Sequence, residues 1–179
     1  MVNNSFFYNQ SKQSIMKTSF FAVLFTFVAF VASAQATLTV QRIDASAVPQ
    51  AVLSAQAGYF PDVTVTFWEK QTAAGKEKSG DRYVANFDQT RARYYANGTG
   101  TTATTYLAAR QLPQAIQDAA TANYAGYTLE SGEQIKLLSK GTVFYRIRLR
   151  KGAQKLVIYV DANGQELSKN NLPKDVTEA

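Results

Sequence analysis

Hydrophobic residues recur along this chain in two successive periods, first near 3.6 and then near two, and the sequence runs through that change twice. VPQAVLSAQAGYF begins at Val48 and LPQAIQDAATANY at Leu112, 64 residues later. In the first phrase Val48, Ala51, Val52, Ala55 and Tyr59 fall at i, i+3, i+4, i+7 and i+11, one stripe of a helix; Leu112, Ala115, Ile116 and Ala119 do the same in the second. Pro49 and Pro113 stand at the second position of each, where a first helical turn tolerates a fixed φ and a missing N–H. The spacing predicts two amphipathic helices.

After each phrase the pattern becomes that of a strand. In VTVTFWEK, Val63, Val65 and Phe67 alternate with Thr64, Thr66 and Trp68, the mark of a half-buried strand. A polar loop, QTAAGKEKSG, leads to RYVANF, RARYYA and Asn97-Gly98, a pair favoured in tight hairpins. The second half follows the same order with YTLE and EQIKLL, TVFYRIRLR, KLVIYV and Ala162-Asn163-Gly164 before QEL, so the two Ala-Asn-Gly turns stand 66 residues apart. The expected unit is one helix followed by an antiparallel meander, written in tandem over 35–108 and 109–179. A unit of about 60 residues buries too little surface to be stable alone. The halves are therefore expected to pack side by side as an α+β fold, helices on one face of the sheet and the other face open.

The residues before this pattern belong to export. Lys12 and Lys17 precede an apolar run, Phe20–Val31, broken only by Thr26, and Ala32-Ser33-Ala34 is a small-residue cleavage site. The run is shorter than the roughly 18 to 20 residues of a spanning helix. Residues 1–34 are thus expected to be an N-terminal extension and a cleaved signal peptide, with Met1 or Met16 as the start and the product periplasmic or secreted. Cleavage leaves 145 residues with a net charge of +4 and no cysteine. Stability then comes from burial and hydrogen bonding, and no lipid can be attached through a thiol.

These features resemble the PepSY-like family, whose fold is related to that of the beta-lactamase inhibitor protein. The residues that carry the resemblance are VPQAV, YFPDVTV, RYVANF and ANG in the first half, and LPQAI, NYAGYTL, FYRIRL and VDANG in the second. The resemblance runs from about Thr37 to Leu167, nearly all of the exported chain. It implies a non-enzymatic module of the cell envelope, in a superfamily best understood for binding or inhibiting enzymes. The inhibitor protein uses disulfides that this chain cannot form, so lactamase inhibition is not carried over.

The residues themselves give little for catalysis. Histidine and cysteine are both absent, which removes the commonest general base, transition-metal ligand and thiol nucleophile. There is no nucleophile elbow, P-loop or dinucleotide fingerprint. Asp161-Ala-Asn163-Gly-Gln-Glu166 has oxygens at alternate positions but lacks the distal bidentate Glu of a calcium loop, and an Asn-Gly hairpin accounts for it. No catalytic residue, cofactor or metal site is expected. A hydrolase built on carboxylates far apart in the chain remains the third alternative.

Alternation assigns the faces of the sheet. If Val63, Val65, Phe67, Tyr83, Ala85, Phe87, Val143, Tyr145, Ile147, Leu149, Leu156, Ile158 and Val160 face the helices, then Trp68, Val84, Arg93, Tyr95, Phe144, Arg146, Arg148, Arg150, Val157 and Tyr159 point outward. From these, Trp68, Arg93, Tyr95, Phe144, Arg146, Arg148, Arg150 and Tyr159 form the candidate interaction surface, since aromatic rings and arginines dominate interface energetics. The expected partner is an envelope protein or peptide. The alternative is an anionic envelope glycan or lipopolysaccharide bound by Arg146, Arg148 and Arg150. Export and a modest charge argue against nucleic acid.

Overall fold

In the computed structural model, residues 37–74 and 80–179 are described. The expected signal segment lies outside them, as does the centre of the Lys- and Gly-rich loop. The strands are β1 (Thr37–Ile43), β2 (Phe67–Ala74), β3 (Arg82–Phe87), β4 (Thr90–Tyr95), β5 (Gly100–Ala108), β6 (Thr128–Leu137), β7 (Val143–Lys151), β8 (Gln154–Asp161) and β9 (Glu166–Leu167). The helices are α1 (Gln50–Tyr59), α2 (Gln114–Asn123) and a single turn, α3 (Lys174–Thr177). All nine strands form one sheet in chain order, each antiparallel to the next. Among the described residues no helix is long and apolar enough to cross a membrane.

Cross-strand register defines the two faces. The row Trp68–Ala85–Ala92–Ala103–Lys136–Val143 crosses β2 to β7 on the face that α1 and α2 cover. Below α1, Val48 and Val52 pack with Trp68, Tyr83, Ala85, Phe87, Ala92, Tyr94, Ala103 and Leu138. Below α2, Leu112, Ile116 and Ala120 pack with Tyr145, Ile147, Leu149, Ile158 and Val160. The i, i+4 spacing of Val48 with Val52 and of Leu112 with Ile116 aims both side chains at the sheet. Ala51 and Ala115, expected on the buried stripe, are exposed.

Each helix starts in the same way. Pro49, Pro113 and Pro173 are N-cap residues with φ of −56°, −54° and −54°, and the carbonyl of each accepts a hydrogen bond from Val52, Ile116 and Val176 at 2.9 Å. A 3-10 turn precedes each proline, at Ala45–Ala47, Ala109–Gln111 and Lys169–Asn171. The chain therefore contains a third, shorter phrase, Leu172-Pro173-Lys174-Asp175-Val176.

Three expectations are corrected by this geometry. Trp68 does not point outward: it is 5% exposed and lies under α1. Val63–Thr66 is not part of the ladder, and β2 begins only at Phe67, so the alternation assumed across VTVTFWEK is interrupted and its phase reverses. Phe67 faces the second face, in a row with Asn86, Arg91, Thr104, Ile135 and Phe144. Nor is the second face wholly open. Val176 of α3 is fully buried there in a third cluster with Ile135, Leu137 and Tyr159, flanked by Phe144, Leu167, Leu172 and Ala179.

Candidate interaction surface

The second face is where the sequence placed its candidate residues, and its chemistry follows from strand alternation. Inward Tyr145, Ile147 and Leu149 of β7 require Arg146, Arg148 and Arg150 to project from the opposite side. Arg146 and Arg148 both donate to the buried carboxylate of Glu133 on β6; the Arg148 Nη2 to Glu133 Oε1 distance is 2.6 Å. Next to this fork lies a groove of about 390 Å³ lined by Arg146, Arg148, Val157, Tyr159 and Lys169. Arg146 and Arg148 share one carboxylate here, and Lys169, an aromatic ring and a valine that is 48% exposed stand beside them. Such a groove suits an extended ligand that carries acidic and apolar groups.

Arg146, Arg148 and Tyr159 are the predicted residues that the groove brings together. Arg150 points to the same face but pairs with Glu130 at 3.2 Å and donates to the carbonyl of Gly152 at 2.9 Å. Phe144 packs against the third cluster. Tyr95 lies under the guanidinium of Arg82, 5.2 Å from its ring centroid. Trp68, on the helix side, belongs to the core.

Arg93 is on the second face as expected, but it is 8% exposed and its Nε and Nη1 have no hydrogen-bond partner. Desolvation, together with the neighbouring charges of Arg91, Arg82 and Arg146, pushes its pKa down to about 10, with Glu133 opposing. Nearby acids are engaged elsewhere: Glu69 with Arg91 at 2.8 Å, and Glu178 with Arg82 at 2.7 Å.

Sequence reasoning missed Lys169, Glu133 and Arg82. Arg82 alternates with inward Tyr83 and Ala85, so its side was readable. Lys169 was findable from the third phrase, because Leu167 precedes Leu172 by the same five residues that separate Ile43 from Val48 and Leu107 from Leu112.

The Asp161 carboxylate is used by the hairpin itself, accepting from the N–H groups of Asn163 at 2.8 Å and Gln165 at 2.9 Å. Among the described residues no cluster of three or more acidic side chains could hold a metal ion.

No family model and no curated protein matches the sequence significantly. Among solved structures, the fold is similar to that of a DUF2874 family protein from Bacteroides ovatus, with a TM-score of 0.53 and 16% identity over 67% of this chain and 84% of that one. A Bacteroides thetaiotaomicron protein described as calcium-regulated and periplasmic aligns with a TM-score of 0.30 and 14% identity, over 72% of this chain and 94% of that one. The first likeness is one of fold.

Proposed function

We propose that the protein is a non-enzymatic binding module of the cell envelope, exported and cleaved near Ala34, which binds a protein or peptide through the second face of its sheet. The observation that carries this reading is the groove in which Arg146, Arg148 and Lys169 surround Val157 and Tyr159. Arginine and tyrosine offer much contact for little lost side-chain freedom, and the uneven charge selects an acidic ligand. The PepSY-like resemblance supports the same reading, as does the absence of histidine and cysteine.

Two tandem units, 35–108 and 109–179, explain why the phrase recurs. Each helix covers its own meander, and joining the sheets through β5 and β6 doubles the face opposite the helices. The test is capture of partners from envelope extract by the wild-type chain and by Arg148→Ala, at low and moderate salt. A protein partner held by wild type, weakened by Arg148→Ala and largely retained in salt is expected. Release of all bound material as salt rises would point to an anionic glycan or lipopolysaccharide. Equal capture by both chains would remove the groove from the reading.

A further inference from the structure

The third phrase occupies the second face as a ligand would. Leu172 and Val176 sit at i and i+4, as Val48 and Val52 do, but against Ile135, Leu137 and Tyr159 on the far side of the sheet. Just beyond them, Glu178 accepts from Arg82 of β3 at 2.7 Å, and the carbonyl of Ala179 accepts from Arg146 of β7 at 3.1 Å. Residues adjacent in the chain thus receive arginines from strands four positions apart. Both side chains must reach inward over β4 to β6, and Arg93 projects from β4 between them with Nε and Nη1 unpartnered.

As an occupant the segment is incomplete. The side chains of residues 168–179 include two lysines and two acids, which cancel in charge. Without them Arg82 loses its carboxylate partner, while Arg91 keeps Glu69, Arg146 and Arg148 keep Glu133, and Arg93 keeps its two unpartnered nitrogens. The attachment is also slight. The helix is a single turn, its one buried residue is Val176, and its ion pairs are partly exposed. Segments of this kind open locally at a small fraction of the cost of global unfolding.

We infer that the second face is a docking site for an acidic segment of a partner protein, which displaces the chain's own residues 168–179, Lys169 of the groove among them, leaves Arg146 and Arg148 as the groove's cations, and brings a carboxylate to Arg93. This deepens the function proposed above and rests on it. A buried guanidinium without an anion is costly, so an occupant that supplies one gains over an occupant that does not. The recognition pattern follows from the resident segment: two apolar side chains at i and i+4, followed by acids placed for Arg82, Arg93 and Arg146.

The test uses the full chain and two labelled synthetic peptides, followed by fluorescence anisotropy. One peptide has the sequence of residues 168–179; the other carries Lys169→Glu and Lys174→Glu. Val176→Ser in the chain weakens the resident segment without touching the helix-side core. The acidic peptide should bind this variant about tenfold or more tighter than it binds wild type, since the tethered competitor is loosened. It should also bind about tenfold tighter than the unaltered peptide, and adding Arg93→Met should abolish most of that preference. Arg93→Met alone should leave the melting temperature unchanged or raised, as replacing an unpaired buried charge often does. If Val176→Ser does not fold, Glu178→Gln, which removes the anion held by Arg82 and by Lys174 and leaves the apolar contacts in place, should give a smaller gain of the same sign. Equal binding to wild type and to the loosened chain, or a preference that survives Arg93→Met, overturns the inference. So does inorganic polyphosphate binding as tightly as the acidic peptide, with both lost at about 0.3 M salt. Failure here alongside an Arg148-dependent protein partner leaves the broader function standing.

Discussion

Gly164 lies against the main chain of Ala115: a β-carbon at Gly164 would stand 2.6 Å from the Ala115 carbonyl oxygen. Gly98 and Ala51 repeat the relationship at the same 2.6 Å. The turns around both glycines close alike, with Gly98 N–H donating to Tyr95 O and Gly164 N–H to Asp161 O. Each hairpin is thereby fixed on the first turn of its helix, at Ala51 and Ala115, which stand at equivalent places in the two phrases.

Alanine at either glycine should be costly. Both have left-handed φ, +85° and +83°, which costs a non-glycine residue about 1–2 kcal/mol. Contact with backbone that cannot rotate away adds about 1–3 kcal/mol. Gly152→Ala, also at positive φ but facing open space, should lose only the first amount. Urea denaturation of the three variants checks this, and equal losses would mean that the helix contact contributes nothing.

Trp68 gives a second expectation. It is the only tryptophan, and it is buried under α1, so its emission should be blue-shifted in the native state and move to the red on unfolding. Trp68→Ala should destabilise by about 3–5 kcal/mol and Ile116→Ala by about 2–5 kcal/mol. Both belong to the core, and neither should act first on partner binding. A Trp68→Ala protein with an unchanged melting temperature would put the indole back on the surface.

The contrast between Trp68 and the second half shows what the pattern could and could not reveal. Across TVFYRIRLR and KLVIYV the ladder is unbroken, so alternation placed Tyr145, Ile147, Leu149, Ile158 and Val160 beneath α2 correctly. In VTVTFWEK the same rule failed because four residues stand outside the ladder, and period two has no meaning across such a break. β5 went unread since GTTATTYLA is rich in threonine, with little contrast between its sides. YTLE and EQIKLL proved to be one strand, β6, with a register shift between Leu129 and Ser131. α3 was missed because four helical residues cannot display a 3.6-residue period.

Two tyrosines should resist alkaline titration. Burial, with a smaller contribution from Tyr59, holds the Tyr94 hydroxyl well above the ordinary phenol range, and that hydroxyl donates to Gln56 at 2.7 Å. Desolvation, reinforced by the hydrogen bond to Glu166, raises Tyr124 to about 12. Because the folded values exceed the unfolded one, both groups stabilise the fold fully below about pH 10. The Tyr124 contribution is lost as pH rises through about 12. Phenolate absorbance near pH 11 should therefore rise on adding denaturant, as Tyr94 and Tyr124 lose the surroundings that hold them neutral. Tyr124→Phe should reduce that rise, and absorbance that denaturant leaves unchanged would contradict both environments.

Glu133 separates stability from recognition. Its buried carboxylate holds Arg146 and Arg148 in place and neutralises part of the groove. Glu133→Gln removes the anion that Arg146 and Arg148 share, and should lower stability by about 1–3 kcal/mol, toward the small end because Arg148 is partly exposed and screened by water. The same change makes the groove more positive by one charge, so an acidic partner should associate faster at low salt and lose that advantage as salt rises. Arg148→Ala should act in the opposite sense, keeping the melting temperature within a few degrees while weakening the complex by more than about 1 kcal/mol. Denaturation curves and salt-dependent binding to the captured partner measure both effects. If the two substitutions shift affinity in the same direction at low salt, charge in the groove is not what the partner recognises, and contact with Val157 and Tyr159 must dominate instead.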